Sequence, residues 1–160
     1  MGAVYSGIPT KLALELRDAF RLKAFIETGL AQGVTSMWAE KHFGMVVSVE
    51  IDYGLVDKFR TNYPSSKVIA MHGDSARMLP GVVNTLITPA LFWLDGHTDD
   101  YTPILAELEA INSSTLPHVI MIDDWRMFGT CPAWPSKEEV LLDIGWRNTY
   151  DVDDVLVATP

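Results

Sequence analysis

What most constrains this chain is a set of five short apolar runs: AFIET (24–28), MVVSVEI (45–51), KVIAMHG (67–73), ALFWLDG (90–96) and HVIMIDD (118–124). They are mostly β-branched or aromatic and show little polar alternation, as expected of strands covered on both faces in a parallel sheet. Each runs out into acid, at Glu27, Glu50, Asp74, Asp95 and the pair Asp123-Asp124. Amphipathic stretches lie between them. Helices are expected over Thr10–Phe20 after Pro9, Val34–His42 after Gly33, and Tyr53–Asn62, where Leu55, Val56 and Phe59 share a face. A short one is expected over Ala76–Leu79, capped by Asp74. Another spans Pro103–Ile111 with Ile104, Leu105, Leu108 and Ile111 in helical spacing, and Ser136–Ile144 opens with a capping box. The tail NTYDVDDVLVATP reads as a hairpin turning at Asp153-Asp154. Strands alternating with helices specify a doubly wound α/β domain, in which ligands bind beyond the carboxyl ends of the strands. The acidic strand ends therefore share one rim.

Composition narrows the partners. At 160 residues and 48% apolar, the chain can bury a real core, which excludes disorder and fibrous repeats and predicts one domain over 1–160. Twelve Lys plus Arg against twenty-one Asp plus Glu leave a net charge of −9. Such a surface repels phosphate backbones and anionic lipid, so neither nucleic acid nor membrane is expected as a partner. The one cysteine, Cys131, excludes an intrachain disulfide and a Cys-based zinc site, and fits a reducing compartment. The N-terminus, MGAVYSGIPTKLALELRD, lacks the signal-peptide pattern, and apolar runs such as Pro89–Leu94 fall far short of the roughly 20 residues a membrane span needs. The expectation is a cytoplasmic protein.

The first strand turns into its helix through Glu27-Thr28-Gly29-Leu30-Ala31-Gln32-Gly33-Val34-Thr35-Ser36. Small residues at 29, 31 and 33 let the backbone approach a ligand and bend sharply. A dinucleotide fingerprint would put Ala31 at its second glycine and Val34 at its third, where a β-branched side chain obstructs helix–strand packing. An acidic-x-G-x-(G/A)-x-G pattern for S-adenosylmethionine (SAM) fits Glu27, Gly29, Ala31 and Gly33 with no misfit. Glu50, ending the second strand, can accept from both ribose hydroxyls, with Asp52 its neighbouring competitor. Asp74 can accept from an adenine amino group, cap the following helix, or do both.

Taken in order, Glu27–Ser36, Val49-Glu50-Ile51-Asp52, Gly73-Asp74-Ser75, Leu94-Asp95-Gly96-His97 and Ile122-Asp123-Asp124 resemble a class I SAM-dependent methyltransferase. FIETG, HGDS, ALFWLDGH, TPILAELEAI and HVIMIDD…R…FG are similar to a group of bacterial methyltransferase-like proteins, over about residues 20–145. The resemblance implies a Rossmann-like sheet of seven strands, mostly parallel, with the C-terminal antiparallel hairpin supplying the last two. It further implies SAM contacts at Glu27, Thr28, Gly29, Gly33, Ser36, Glu50, Ile51, Asp74, Ser75 and Asp95. Against larger members, the expected departure is the lack of N-terminal lid helices and of an inserted acceptor domain.

Asp95, Asp123 and Asp124 should converge at neighbouring strand ends, where mutual repulsion raises their pKa values and a divalent ion would relieve it. The arrangement is similar to metal-dependent O-methyltransferases, so Mg²⁺, Mn²⁺ or Ca²⁺ on these three is one expectation, and an ion pair of Arg126 with one Asp is the other. Adjacent Asp123 and Asp124 would face opposite sides of an extended strand unless a turn begins there. His97, with Asp95 beside it, is the candidate general base. Trp125, Phe128 and Trp134 either stack on an acceptor or cover the core. His72 is placed beside the adenine end, His42 on a solvated helix face and His118 at a strand start. Asp99-Asp100, Asp151, Asp153 and Asp154 read as solvated turn residues. The leading expectation is methyl transfer from SAM to an oxygen of a small-molecule acceptor, a saccharide or secondary metabolite. Its rivals are a SAM-binding module without catalysis and an NAD- or nucleotide-binding protein. A homo-oligomer is open, since a neighbouring subunit could close a lidless cleft.

Overall fold

The computed structural model describes residues 7–160; the leader reading begins in residues 1–6, which lie outside them. Helix α1 (Thr10–Phe20) precedes β1 (Ala24–Thr28), and α2 (Val34–Ala39), β2 (Met45–Glu50), α3 (Tyr53–Asn62) and β3 (Ile69–His72) follow. Then come α4 (Ser75–Thr85), β4 (Ala90–Leu94), α5 (Ile104–Asn112), β5 (Val119–Ile122), a 3-10 turn (Trp125–Met127), α6 (Lys137–Ile144), β6 (Asn148–Val152) and β7 (Val155–Thr159). The seven strands lie in the order β3-β2-β1-β4-β5-β7-β6. The first five are parallel, and β7 runs antiparallel to both β5 and β6. This is the seven-stranded, mostly parallel sheet with a terminal hairpin, flanked by helices, of the class I methyltransferase fold.

Two local details differ from the pattern reading. Helix α2 stops at Ala39, three residues short of His42. Helix α4 extends to Thr85 and accommodates Pro80 in its interior. Its buried stripe of Leu79, Val82 and Val83 supplies tertiary packing that outweighs the lost amide hydrogen bond. The capping box at Ser136 and Glu139 is formed, and the hairpin turns at Asp153 and Asp154 with φ of 48° and 68°, the mirror-image turn that matches strand twist.

Alternation along the central strands sorts side chains to two layers. Ile26, Phe92, Leu94, Ile120 and Ile122 pack with buried residues of α4, α5 and α6. Phe25, Leu91, Trp93, Val119 and Met121 pack on the other face with Ala13 and Leu16 of α1. The same alternation decides where the acidic strand ends point. The chain leaves β1 outward to β3, then crosses back to β4, so β1 and β4 are the switch point at which open α/β sheets bind ligands. No helix among the described residues is long and apolar enough to cross a membrane.

Candidate functional site

A cavity of about 360 Å³ opens at that switch point. Gly29 and Ala31 line it after β1, Glu50, Ile51, Leu55, Asp74 and Ser75 after β2 and β3, and Asp95 through Thr98 at the far end after β4, while Tyr101, whose hydroxyl reaches Asp74, and Pro103 complete the lining. Its lining is mostly apolar with a few convergent polar groups, as small-molecule sites are.

The turn after β1 is built for close approach. Gly29 has φ +89°, and a Cβ there would stand 2.5 Å from the Asp95 carbonyl oxygen. Only glycine lets the turns after β1 and β4 touch. Ala31 adopts φ +46°, a left-handed conformation held because its N–H donates to Glu50 Oε2 at 3.0 Å. The other Glu50 oxygen accepts from the Asp52 N–H at 3.0 Å, leaving lone pairs on both oxygens beside the cavity. Gly33 answers to packing instead. A Cβ there would overlap the Phe59 ring of α3 at 2.3 Å, so its bareness lets the helix settle over the sheet.

Glu27, Thr28, Gly33 and Ser36 stand behind the cavity wall rather than in it. Glu27 is 1% exposed, and its Oε2 accepts from the hydroxyls of Ser36 and of Ser48, the latter at 2.7 Å. Burial pushes its carboxyl up to about 7; the two hydroxyls oppose the shift, and the charges of Asp95 and Glu50 add to it. Asp74 caps α4 by accepting from the Ala76 N–H at 3.0 Å, still lines the cavity, and receives the Tyr101 hydroxyl at 3.3 Å. The cap expected from the sequence is formed, and the same residue lines the cavity. His72 does not reach the cavity; its ring meets Tyr53 edge-on at 5.5 Å.

At the far end, His97 Nε2 lies 3.3 Å from Asp95 Oδ1 and 3.0 Å from Asp124 Oδ2. It is within ion-pair reach of both carboxylates without a well-directed hydrogen bond to either. The Asp95 contact raises the His97 pKa above its usual value, burial lowers it, and the charges of Asp95 and Asp124 raise it further. The ring rests edge-on against Trp134 at 4.6 Å. Arg126 Nη1 holds the other oxygen of Asp124, at 2.7 Å, and also pairs with Asp154.

The expected Asp95–Asp123–Asp124 oxygen set is not assembled among the described residues; Asp95, His97 and Asp124 come together instead, with one donor atom each within 4.8 Å of the others. Strand alternation is the reason. Asp123 follows Met121 to the α1 side, where it lines a separate cavity of about 310 Å³ with Pro9, Lys11 and Asp153. Asp124 turns back through a left-handed conformation, φ 51°. Burial and the Asp95 charge push the Asp123 carboxyl up to about 7. The donor set that is assembled suits a divalent ion. Ligands bound at about 2.1 Å in adjacent octahedral positions stand about 3 Å apart, close to the His97–Asp124 and His97–Asp95 separations. The buried Nε2 also has no well-directed protein partner.

Other expectations resolve simply. Trp125, Phe128 and Trp134 are buried in the core rather than open for stacking. Asp154 is more than a solvated turn residue, because Arg126 N donates to its Oδ1 at 2.7 Å and clamps the hairpin to the turn after β5. His118 is buried, accepts from the Ala90 N–H at Nδ1 and faces Ser114 at Nε2, each at 3.0 Å. The sequence reading missed Glu107 and Tyr101. Glu107 carried a signal, an acid at i+3 from Ile104 on the apolar stripe of α5.

No protein-family model and no curated protein matches the chain. Solved structures do share its fold. An O-methyltransferase from Bacillus cereus, in complex with S-adenosylhomocysteine (SAH), aligns over 98% of this chain and 84% of its own at a TM-score of 0.67 and 16% identity. The O-methyltransferase TomG of Streptomyces achromogenes, involved in tomaymycin synthesis and bound to SAM, aligns over 99% and 82% at 0.68 and 16%. The SAH-bound methyltransferase PaMTH1 of Podospora anserina covers 94% and 76% at 0.67 and 16%.

Proposed function

We propose that this chain is an enzyme that transfers a methyl group from SAM to an oxygen of a small-molecule acceptor, a saccharide or secondary metabolite. The observation that carries this reading is the polarity of one cavity: Glu50 and Asp74 mark one end, and His97 between two carboxylates marks the other. The solved O-methyltransferases of the same fold support it. Glu50 would accept from the ribose hydroxyls and Asp74 from the adenine amine, with Ile51 and Leu55 as apolar walls. Bound there, SAM supplies a methyl group on a positively charged sulfur.

The carboxylates of Asp95 and Asp124 favour the His97 tautomer with hydrogen on Nε2, leaving Nδ1 to accept the acceptor hydroxyl's proton. Asp124 is itself held by Arg126, so the base sits in a fixed frame. The unpartnered Nε2 and the 3 Å spacing favour a second reading, in which Asp95, His97 and Asp124 hold a divalent ion such as Mn²⁺ or Mg²⁺. Such an ion would lower the pKa of a bound hydroxyl.

Calorimetry with SAH and with NADH tests the cofactor. Micromolar SAH binding, lost in Glu50→Ala, with no NADH binding supports the reading; NADH binding alone overturns it in favour of an oxidoreductase. Radiolabelled methyl transfer to hydroxyl acceptors separates an enzyme from an inert binding module. Turnover that survives EDTA assigns His97 as base, whereas turnover abolished by EDTA and restored by Mn²⁺ assigns the ion.

A further inference from the structure

Glu107 is 1% exposed in the middle of α5, and none of the roles above uses it. Its Oε1 accepts from the Ser75 hydroxyl at 2.6 Å, across the packed faces of α4 and α5. The Thr28 hydroxyl also acts on this carboxyl and is itself buried without a well-directed partner. A carboxyl placed there in a core stripe is costly unless it is neutral or well bonded, so an apolar residue would serve packing better. Burial pushes the carboxyl up to about 7, with the Ser75 and Thr28 hydroxyls opposing the shift.

The position of Ser75 explains what the carboxyl accomplishes. Ser75 is the first residue of α4, lines the cavity and follows Asp74 directly. The chain enters this corner through Gly73 at φ +156°, a conformation with little intrinsic restraint. The corner is anchored on both sides of Asp74, where the Gly73 N–H bonds to the Glu50 carbonyl at 2.9 Å and the Ser75 hydroxyl bonds to Glu107, and the Asp74 carboxylate also takes the Ala76 N–H and the Tyr101 hydroxyl. We infer that Glu107 is a positioning residue for nucleobase recognition: through Ser75 it sets the Asp74 carboxylate against the exocyclic amine of an adenosyl ligand. This inference rests on the proposed SAM site and deepens it.

The test compares SAH with S-inosylhomocysteine, in which oxygen replaces the exocyclic amine. Wild-type protein should prefer SAH by about tenfold or more, as expected for one lost hydrogen bond to a charged group. Glu107→Ala should reduce that preference to about twofold or less, chiefly by weakening SAH. Glu107→Gln, which retains an acceptor for Ser75, should restore it. Ser75→Ala should reproduce the loss, and serves if Glu107→Ala does not fold. A general structural defect would weaken both ligands alike and leave the ratio unchanged, which overturns the inference. Failure of the wild-type protein to bind SAH at all would instead remove the proposed cofactor, and binding without discrimination would remove the Asp74 contact.

Discussion

His97 Nε2 and Asp124 Oδ2 stand 3.0 Å apart although they come from different strand ends, and Arg126 grips the opposite oxygen of the same carboxylate. One carboxylate thus links the cavity to the loop after β5 and, through Arg126, to the hairpin turn at Asp154. The imidazole is held by the fold before any ligand arrives.

Replacing that imidazole should separate chemistry from binding. His97→Gln is expected to lower kcat by about a hundredfold or more, the usual contribution of a general base, while SAH affinity changes less than about threefold. The contact with Asp95 and the charge of Asp124 raise the His97 pKa against the opposing effect of burial, so the base becomes neutral at a higher pH than a free imidazole. Activity should therefore rise with pH, and Asp124→Asn should shift that rise to lower pH. A pH–rate profile of kcat/KM for both proteins checks the direction; an unmoved profile assigns Asp124 no electrostatic role.

Gly33→Ala should destabilise the protein through Phe59. The new Cβ would overlap the ring at 2.3 Å, and the backbone is already at φ +76°. Overpacking and left-handed strain together predict a loss of about 2–4 kcal/mol in urea unfolding. Phe59→Leu should return part of that loss in the double variant, because it removes the ring edge while leaving the strain. An additive double variant would show that the clash is not the cause.

Glu27 predicts a pH dependence of stability with a definite sign. Its folded pKa is about 7 against an ordinary 4.5, so the folded protein retains a proton that the unfolded chain loses first. That contribution is complete below pH 4.5 and is lost as pH rises through 7. Glu27→Gln is permanently neutral and keeps one carbonyl oxygen for Ser36 and Ser48. It should gain on wild type as pH rises, by on the order of 3 kcal/mol above pH 8, with the gap closing toward pH 4.5. Paired denaturation curves at several pH values measure this.

His118 has the opposite dependence. Burial and the nearby Arg147 charge push its pKa down to about 4, while Nδ1 accepts from Ala90 N–H and fixes the neutral tautomer. Its contribution is present above pH 6.5 and lost as pH falls toward 4. Proton NMR should show a ring that fails to titrate near 6.5, and His118→Gln should flatten the acid-side loss of stability between pH 6.5 and 4.

Much of this architecture was legible because short, doubly buried strands leave a strong local signature. The bounds of α1, β1 and α3 match the pattern reading residue for residue, and the acidic residues at the carboxyl ends of the parallel strands β1 to β5 share one end of the sheet. Gly29 and Glu50 were legible for the same reason, since tight turns and strand tips announce themselves in sequence. Gly33 was read as part of a ligand turn, but its constraint comes from Phe59, which lies 26 residues away and leaves no trace in local spacing.

The sequence by itself determined the layers, the strand–helix order and the residues available at the rim, because periodicity and turn chemistry act between near neighbours. Only the tertiary structure decided which rim residues meet. Strand alternation sent Asp123 toward α1, a left-handed backbone returned Asp124 to His97, and the packing of α5 on α4 placed Glu107 behind Ser75. Those outcomes depend on side-chain direction and on contacts between distant segments, and both are settled when the layers pack.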